Sequence, residues 1–328
     1  MPQLSPDLSV ILVVGERRDR AVAALASILG QNVAGRIEVL LFDCAPGDPP
    51  PLPGSDHPAV RTVRLPPDTL FSAAKARGVR MASAPVVAFV EEHCRVFPGW
   101  AEALIEAHRG PWAGVGAEVH MGNPNVPVSH LVAVINYHPW LPPAPRREHD
   151  MLPGHNSSFK RDLLLAYGEE LEDLLRAEIV LHGRLRLDGH RLLLEPAARF
   201  AHLNETSLRS IAEGRFLWNR CYGPSRARVF GWSAARRLFY AAATPLTPLY
   251  ALVKITRTLS RTRPELLRTI YAWLPCFLLA HLATAAGQAV GLLFGRGDTE
   301  ARFTLFELNE PRDPGDPPAS ELHALKSI

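Results

Sequence analysis

Residues 86–93 read V-V-A-F-V-E-E-H, an uncharged run followed directly by two carboxylates and an imidazole. Such a run is typical of a strand buried on both faces of a parallel sheet. Open α/β sheets bind their ligands in the crevice outside the carboxyl ends of the strands. Carboxylates and imidazoles both ligate divalent cations. The stretch therefore predicts a strand that ends in a ligand or metal site. A solvated turn after the strand is the alternative reading.

Strand and helix patterns alternate on both sides of this stretch. Apolar runs at 9–14 and 37–42 end at Gly15 and Asp43, as buried strands do. Helical spacing follows the first run and recurs before and after residues 86–93, over 19–29, about 68–82 and 100–108. The spacing also predicts a helix over 171–187. This alternation predicts an α/β fold with a mostly parallel sheet flanked by helices.

Composition restricts the class of partner and the compartment. The 328 residues carry 36 Lys and Arg against 33 Asp and Glu, a net charge of +3 that does not favour nucleic-acid binding. The cysteines, Cys44, Cys94, Cys221 and Cys276, lie far apart without a C-x-x-C pair, so we expect single thiols in a reducing compartment. No basic region followed by a long apolar segment opens the chain, so a signal peptide is not expected.

The C-terminal part has a different character. Arginines are frequent after residue 208, residues 238–253 carry no charge, and residues 270–294 lack Asp, Glu, Lys and Arg. The longer stretch is about as long as a helix that crosses a bilayer, although prolines interrupt both stretches. We expect helices that span a membrane or lie at its surface; a buried helical hairpin is the alternative. The excess of cations before residue 270 predicts that the catalytic domain lies on the cytoplasmic face of the cell membrane.

An ordered set of motifs resembles family 2 glycosyltransferases. The N-terminal half carries L-S-V-I-L-V-V-G-E-R-R-D-R, I-E-V-L-L-F-D-C and A-K-A-R-G-V-R-M-A-S-A-P-V-V-A-F-V-E-E-H, and G-H-N-S-S-F-K-R-D-L-L and L-E-P-A-A-R-F-A-H follow. The resemblance covers roughly residues 8–203. It implies a GT-A fold, a Rossmann-like sheet that binds a nucleotide-diphosphate sugar, usually with Mg²⁺ or Mn²⁺. The predicted domains are a catalytic domain over 1–205, a helical, membrane-associated region over 206–300 and a polar tail over 301–328.

The resemblance implies a donor site at the ends of the first strands. It assigns contacts with the nucleotide sugar to Gly15, Glu16, Asp43, Lys75, Arg77, Glu91 and Glu92. Gly15, Glu16 and Asp43 would contact the base and ribose, and the basic side chains would balance the diphosphate charge. Cys44 stands where the family has a second acid, which predicts altered base recognition.

A cation site is also implied. Glu91-Glu92-His93 stands at the position of the family's D-x-D motif, and His202 matches a histidine that assists metal binding in some relatives. The implied ligands are Glu91, His93 and His202. Imidazole in place of a carboxylate favours Mn²⁺ or another transition metal over Mg²⁺. A metal-independent enzyme that uses Lys and Arg remains an alternative.

The catalytic base that the resemblance implies is Glu178. The family's E-D pair aligns with Ala177-Glu178, and a carboxylate there would deprotonate the acceptor hydroxyl for an inverting transfer. A contact between Glu178 and His182, one helical turn on, is the structural alternative. Gly154, His155 and Asn156 match the family's segment beside the donor sugar and the acceptor.

Together these features predict a membrane-associated transferase that moves a sugar from a nucleotide donor to a lipid-linked or polysaccharide acceptor. A degenerate relative that binds nucleotide or glycan without transfer is the main alternative. Another Rossmann-like nucleotide enzyme is less favoured, because no G-x-G-x-x-G or Walker loop follows the first strand.

Overall fold

The computed structural model describes residues 5–33, 36–154, 156–313 and 315–316. The chain forms two compact units. Unit 1 comprises Met1–Gly122 with Trp140–His202, and unit 2 comprises Asn123–Pro139 with Leu203–Ile328. Every candidate site residue belongs to unit 1. Residues 317–328 of the predicted polar tail lie outside the described residues.

Unit 1 is built on a nine-stranded sheet with the order β3-β2-β1-β4-β8-β6-β9-β5, in which β7 pairs with β9. The strands are β1 (Leu8–Val14), β2 (Ile37–Asp43), β3 (Val60–Arg64), β4 (Val86–Glu91), β5 (Cys94–Val96), β6 (Trp112–Met121), β7 (Arg147–Glu148), β8 (Asn156–Lys160) and β9 (Arg191–His202). The neighbours β3, β2, β1 and β4 are parallel. Strand β8 is antiparallel to both β4 and β6, so the sheet is mixed beyond β4.

The helices flank the sheet in unit 1 and make up unit 2. They are α1 (Arg18–Leu29), α2 (Phe71–Met81), α3 (Trp100–Ala107), α4 (Pro127–Tyr137), α5 (Arg161–Leu165), α6 (Glu170–Leu175), α7 (Glu178–Leu187), α8 (Leu208–Val229), α9 (Ala234–Ala243), α10 (Thr247–Thr262), α11 (Leu267–Ala272), α12 (Leu274–Phe294) and α13 (Thr299–Asn309). The predicted α/β class, with an apolar helical region after it, is confirmed. The helix predicted over 171–187 is divided, because Ala177 has an extended backbone and α7 begins at Glu178.

Close packing of α2 on the sheet fixes the position of Lys75. Strand β1 is buried along its whole length, and Gly78 of α2 lies against Ile11. A Cβ at Gly78 would lie 2.7–3.0 Å from the Ile11 side chain, which is too close for any larger residue. The absent side chain lets α2 approach the strand. Lys75, one turn earlier on the same helix, is consequently buried rather than solvated.

Unit 2 is a helical assembly in which α8 and α12 pack closely. Gly287 and Gly291 of α12 meet the backbone of α8, where added Cβ atoms would lie 2.4 and 2.5 Å from carbonyl oxygens. Pro245 lies in a 3-10 turn, and Pro248 lies in the first turn of α10, so both prolines lie at the junction of α9 and α10.

Two segments of unit 2 are long and apolar enough to cross a membrane, Ala234–Thr262 and Leu274–Phe294. Length and composition alone support this, and core helices of soluble proteins pass the same test. Among the described residues, large exposed apolar side chains are concentrated here: Leu238, Phe239, Leu246, Leu249, Tyr250, Val253, Tyr271, Leu279, Leu282, Leu293 and Phe294. An exposed apolar surface of this extent is typical of a protein or membrane contact.

Candidate functional site

One edge of the sheet brings the predicted site segments together. Strand register pairs Val14 with Asp43, Val13 with Glu91, and Val90 with Asn156. Neighbouring strands lie about 4.8 Å apart, and β2 and β8 are separated by three such spacings. The backbones of Asp43 and Asn156 are therefore about 15 Å apart along this edge. The carboxyl ends of β2 and β4 and the start of β8 therefore line a common edge.

Asp43 is held at this edge by two arginines. Its Oδ1 atom accepts hydrogen bonds from Arg18 Nη1 at 2.9 Å and from the Ala45 N–H at 3.1 Å, and it lies 3.0 Å from Arg64 Nη1. Burial, with the neighbouring carboxylates, raises the pKa of the Cys44 thiol to about 12, so the residue after Asp43 is a neutral thiol. Sequence reasoning missed Arg18, although the E-R-R-D-R run after β1 provides a signal.

Glu92 has a structural role that the sequence interpretation did not foresee. Its side chain is buried, accepts the Gly15 N–H at 2.8 Å and pairs with Arg20 at 2.7 Å. Burial raises the pKa of Glu92, whereas Arg20 and the Gly15 N–H favour its ionised form and oppose that rise. Both carboxylate oxygens are thus engaged inside the protein. Glu92 therefore fixes the loop after β1, where Glu16 is half-buried.

Lys75 and Glu178 form a buried ion pair. The Lys75 Nζ atom lies 2.5 Å from Glu178 Oε1, and the two side chains are 8% and 13% exposed. The Nζ atom also lies 5.7 Å from the ring centroids of Phe71 and Phe89. Arg77 does not join this pair; it is exposed two positions along α2, and residues two apart do not share a helix face.

The pair keeps Glu178 ionised at neutral pH. Burial alone would raise the pKa of Glu178, but the charge and hydrogen bond of Lys75 outweigh burial and hold it below the ordinary value of 4.5. The predicted alternative partner, His182, is buried one turn later and accepts the Leu152 N–H at 3.5 Å. Burial lowers the pKa of His182 to about 4, so the ring is neutral at pH 7.

Gly154 lies directly against the Glu178 carboxylate. A Cβ at Gly154 would lie 3.0 Å from Glu178 Oε2 and 3.1 Å from Glu178 Cβ. Asn156 is fully buried, and its Oδ1 accepts the Trp100 Nε1–H at 2.9 Å. His155 lies outside the described residues.

The three predicted metal ligands come together with a fourth residue. Glu91, His93, Cys94 and His202 each offer a ligand atom, and these atoms lie within 4.8 Å of one another. The Nε2 atoms of His93 and His202 are 3.1 Å apart, and His93 Nε2 is 3.3 Å from Glu91 Oε2. Cys94 is the fourth residue; it is a free, buried thiol, and the sequence prediction did not place it beside the other three. The position of Cys94 directly after Glu91-Glu92-His93 is the sequence signal that could have indicated a fourth ligand.

These separations fit a bound cation. Two nitrogen ligands about 2.1 Å from one ion are about 3.0 Å apart in octahedral geometry and about 3.4 Å apart in tetrahedral geometry. The measured 3.1 and 3.3 Å fall in this interval. We therefore treat the four residues as a candidate cation site.

Comparisons with known proteins give matches among solved structures alone. No family model matches the chain, and neither does any curated protein. Among solved structures, the fold is similar to a crystal structure of GalNAc-T7 with UDP, GalNAc and Mn²⁺, with 12% sequence identity and a TM-score of 0.46. The match covers 60% of this chain and 43% of that chain, so this protein spans less than half of the length of the matched one.

Proposed function

We propose that the protein is a glycosyltransferase that moves a sugar from a nucleoside-diphosphate sugar to an acceptor hydroxyl with inversion at the anomeric carbon. The single observation that carries the proposal is the charged pair of Lys75 and Glu178, which lies against Gly154 of a third segment. Gly154 lies two residues before Asn156, the first residue of β8, which lies at the edge that holds Asp43 and Glu91. The resemblance of the motifs to family 2 enzymes supports the same assignment.

Asp43 and the loop after β1 would bind the nucleotide. The carboxylate of Asp43 accepts hydrogen bonds, which is what a base N–H edge or a ribose hydroxyl requires. Arg18 and Arg64 fix its orientation, so little rotational freedom is lost on binding. Glu92 and Arg20 hold the loop that contains Gly15 and Glu16, and this loop would shape the nucleotide pocket.

Charge on the leaving diphosphate requires positive charge nearby. A divalent cation held by Glu91, His93 and His202 would supply that charge when bound. Lys75 is the nearest described cation to Glu178, and it contributes a second positive charge at the reacting side of the site.

Glu178 would act as the base. Its ionised carboxylate accepts the proton of the acceptor hydroxyl while the hydroxyl oxygen forms a bond to the anomeric carbon. The bond from that carbon to the diphosphate oxygen breaks, and the electron pair leaves with the diphosphate. Gly154 keeps the space beside Oε2 free of a side chain, so the carboxylate retains room for a hydroxyl.

Exchange of Glu178 for Gln tests this mechanism. Glu178→Gln retains the shape of the side chain and removes the base, so we expect turnover to fall by about 10²–10⁴-fold while donor affinity stays within a few-fold. Glu172→Gln, on α6, is the matched control and should leave both unchanged. Released nucleoside diphosphate and calorimetric donor binding are the readouts. Unchanged turnover in Glu178→Gln would reject the mechanism, and donor binding without turnover in the wild type across acceptors would favour the degenerate binding protein.

We propose that unit 2 attaches the enzyme to the cytoplasmic face of a membrane and that the acceptor is lipid-linked or a polysaccharide. The exposed apolar side chains of residues 238–294 support this, together with a cationic groove that Lys254, Arg257 and Arg261 line beside Tyr250. Basic side chains near apolar surface bind anionic headgroups, each contributing about 1 kcal/mol.

Vesicle flotation tests the attachment. The full chain should float with vesicles that contain anionic lipid. In a variant with Lys254, Arg257 and Arg261 all changed to Gln, a smaller fraction of the protein should float with these vesicles. That fraction should also depend less on the salt concentration than it does for the wild type. The control is Arg95→Gln, an exposed cation of unit 1. A wild-type chain that remains in the soluble fraction with every vesicle would contradict attachment.

A further inference from the structure

We infer that Glu91, His93, Cys94 and His202 form a zinc-type site, in which the Cys94 thiolate is the fourth ligand of a tetrahedral ion. The sequence predicted a divalent cation bound by Glu91, His93 and His202, with Mn²⁺ or another transition metal favoured over Mg²⁺. The inference deepens the cation assignment of the proposed function. It depends on the geometry of the four residues and would stand if no sugar were transferred.

The chemistry of the donor atoms carries the inference. Two imidazoles, one thiol and one carboxylate offer two nitrogen, one sulfur and one oxygen ligand. Mg²⁺ and Ca²⁺ bind oxygen ligands almost entirely, and Mg²⁺ retains several waters. Zn²⁺ accepts Cys, His and carboxylate ligands together and is usually four-coordinate, with a thiolate that increases selectivity against hard cations.

The positions of the ligands in the fold match a closed site. Three ligands come from the turn that joins β4 to β5, and His202 ends β9, 109 residues from His93. Cys94 and His202 stand opposite each other in the antiparallel pair of β5 and β9. The Gly122 N–H donates to the His202 carbonyl at 2.7 Å and fixes the backbone there. An ion bound to all four would connect the two segments.

Burial determines how substrate reaches the ion. His93, Cys94 and His202 are at most 3% exposed, whereas the Glu91 side chain is 17% exposed. A diphosphate oxygen could approach only beside Glu91, by expanding the coordination to five or by displacing that carboxylate. This gives Glu91 a different role from the three buried ligands, which would hold the ion throughout.

Binding of the ion has a defined proton balance. The Zn–S bond forms as the Cys94 S–H bond breaks, and the proton passes to solvent, while both histidines bind as neutral rings. Metal affinity should therefore increase as pH rises. No electron transfer takes place, because Zn²⁺ has no redox chemistry.

Cobalt substitution and metal analysis test the site in the full chain. Protein purified without chelator should retain about one Zn²⁺ per chain, as one four-donor cluster predicts. Stripped protein titrated with Co²⁺ should show intense visible bands of tetrahedral geometry and a thiolate-to-metal charge-transfer band. Cys94→Ser should lose the charge-transfer band. The control Cys221→Ser, at another buried thiol, should retain it.

The cobalt spectrum of the wild-type protein tests the inference by itself, so the test does not depend on whether Cys94→Ser folds. Weak octahedral bands without charge transfer would overturn the inference, as would wild-type protein that binds only Mg²⁺ or Mn²⁺. Retention of the charge-transfer band in a folded Cys94→Ser protein would also overturn it. None of these readouts needs a sugar donor, so a failure of transfer and a failure of the metal assignment are distinguishable.

Discussion

Removal of Lys75 should destabilise the protein in a pH-dependent way. Lys75→Met keeps a chain of similar length and deletes the cation 2.5 Å from Glu178, in a pair of which both members are mostly buried. Breaking a buried ion pair by removal of one partner costs about 3–5 kcal/mol, because the remaining charge is buried without compensation. We expect a loss of this size at pH 8.

The pH dependence of this loss follows because the pKa of Glu178 is lowered in the wild type and should be raised in Lys75→Met. In the wild type its pKa lies below 4.5, so its stabilising contribution is present above pH 4.5 and is lost as pH falls through the lowered value. In Lys75→Met only the backbone hydrogen bond and His182 still oppose burial, so we expect the pKa of Glu178 to rise above 4.5. The variant therefore loses stability as pH rises from 4.5 through the raised value, and the difference from wild type narrows as pH falls toward the lowered pKa of wild-type Glu178. In Lys75→Met the acid limb of the pH–rate profile should move to higher pH, because Glu178 must be ionised to act as the base.

Urea unfolding between pH 4 and pH 8 measures this difference. Lys160→Met is the matched control, because Lys160 donates to the Gly110 carbonyl at 3.0 Å instead of to a carboxylate, so its cost should not vary with pH. The double variant Lys75→Met/Glu178→Met should recover much of the loss, since it removes both charges. A Lys75→Met cost that stays below about 0.5 kcal/mol, the usual range for surface substitutions, or that is the same at both pH values, would refute the reasoning.

Three further substitutions test individual contacts. Gly154→Ala places a Cβ 3.0 Å from the Glu178 carboxylate, so turnover should fall at least about tenfold, or about 1.4 kcal/mol, while calorimetric donor affinity is retained; equal turnover would contradict the contact. Arg20→Met leaves Glu92 buried without its cation and should cost about 3–5 kcal/mol in urea unfolding, whereas a loss under about 1 kcal/mol would show that Glu92 is not held by this pair. Gly287→Ala forces apart α8 and α12, where the added Cβ meets a carbonyl oxygen at 2.4 Å, and should cost about 1–3 kcal/mol or more; a neutral effect in thermal unfolding would contradict this packing.

Much of the framework could be predicted because it depends on local sequence. The apolar runs of β1, β2 and β4 are continuous, and the helix between the first two strands ends where Gly30 follows its last apolar residue. These signals fix which strand ends carry polar side chains. They place Asp43 and Glu91 at the same edge once the strands are known to be parallel.

Partners that are distant in sequence could not be predicted in this way. Glu91 and Glu92 are neighbours in sequence, yet Glu91 lies with His93 whereas Glu92 lies inside with Arg20. Successive strand residues face opposite sides, and the sequence does not say which side the loop after β1 covers.

The break before α7 had no local signal. Neither Gly nor Pro occurs between Leu175 and Glu178, and Ala177 is a strong helix former. Its extended backbone and full burial are set by tertiary packing, and they place Glu178 in the first turn of α7. The resemblance indicated Glu178 as the base, but the pairing with Lys75 depends on contact between segments 103 residues apart.

Hydrogen–deuterium exchange with a bound nucleotide sugar tests the central claim most directly, that one donor site joins the ends of β2 and β4 with the start of α7. Backbone amides near Asp43, Glu91 and Glu178 should all become protected by the same donor at the same concentration. Peptides from α5, which follows the end of β8 at the opposite edge of the sheet, should not change. A donor that binds tightly but protects only one of the three segments, or none of them, would contradict the account.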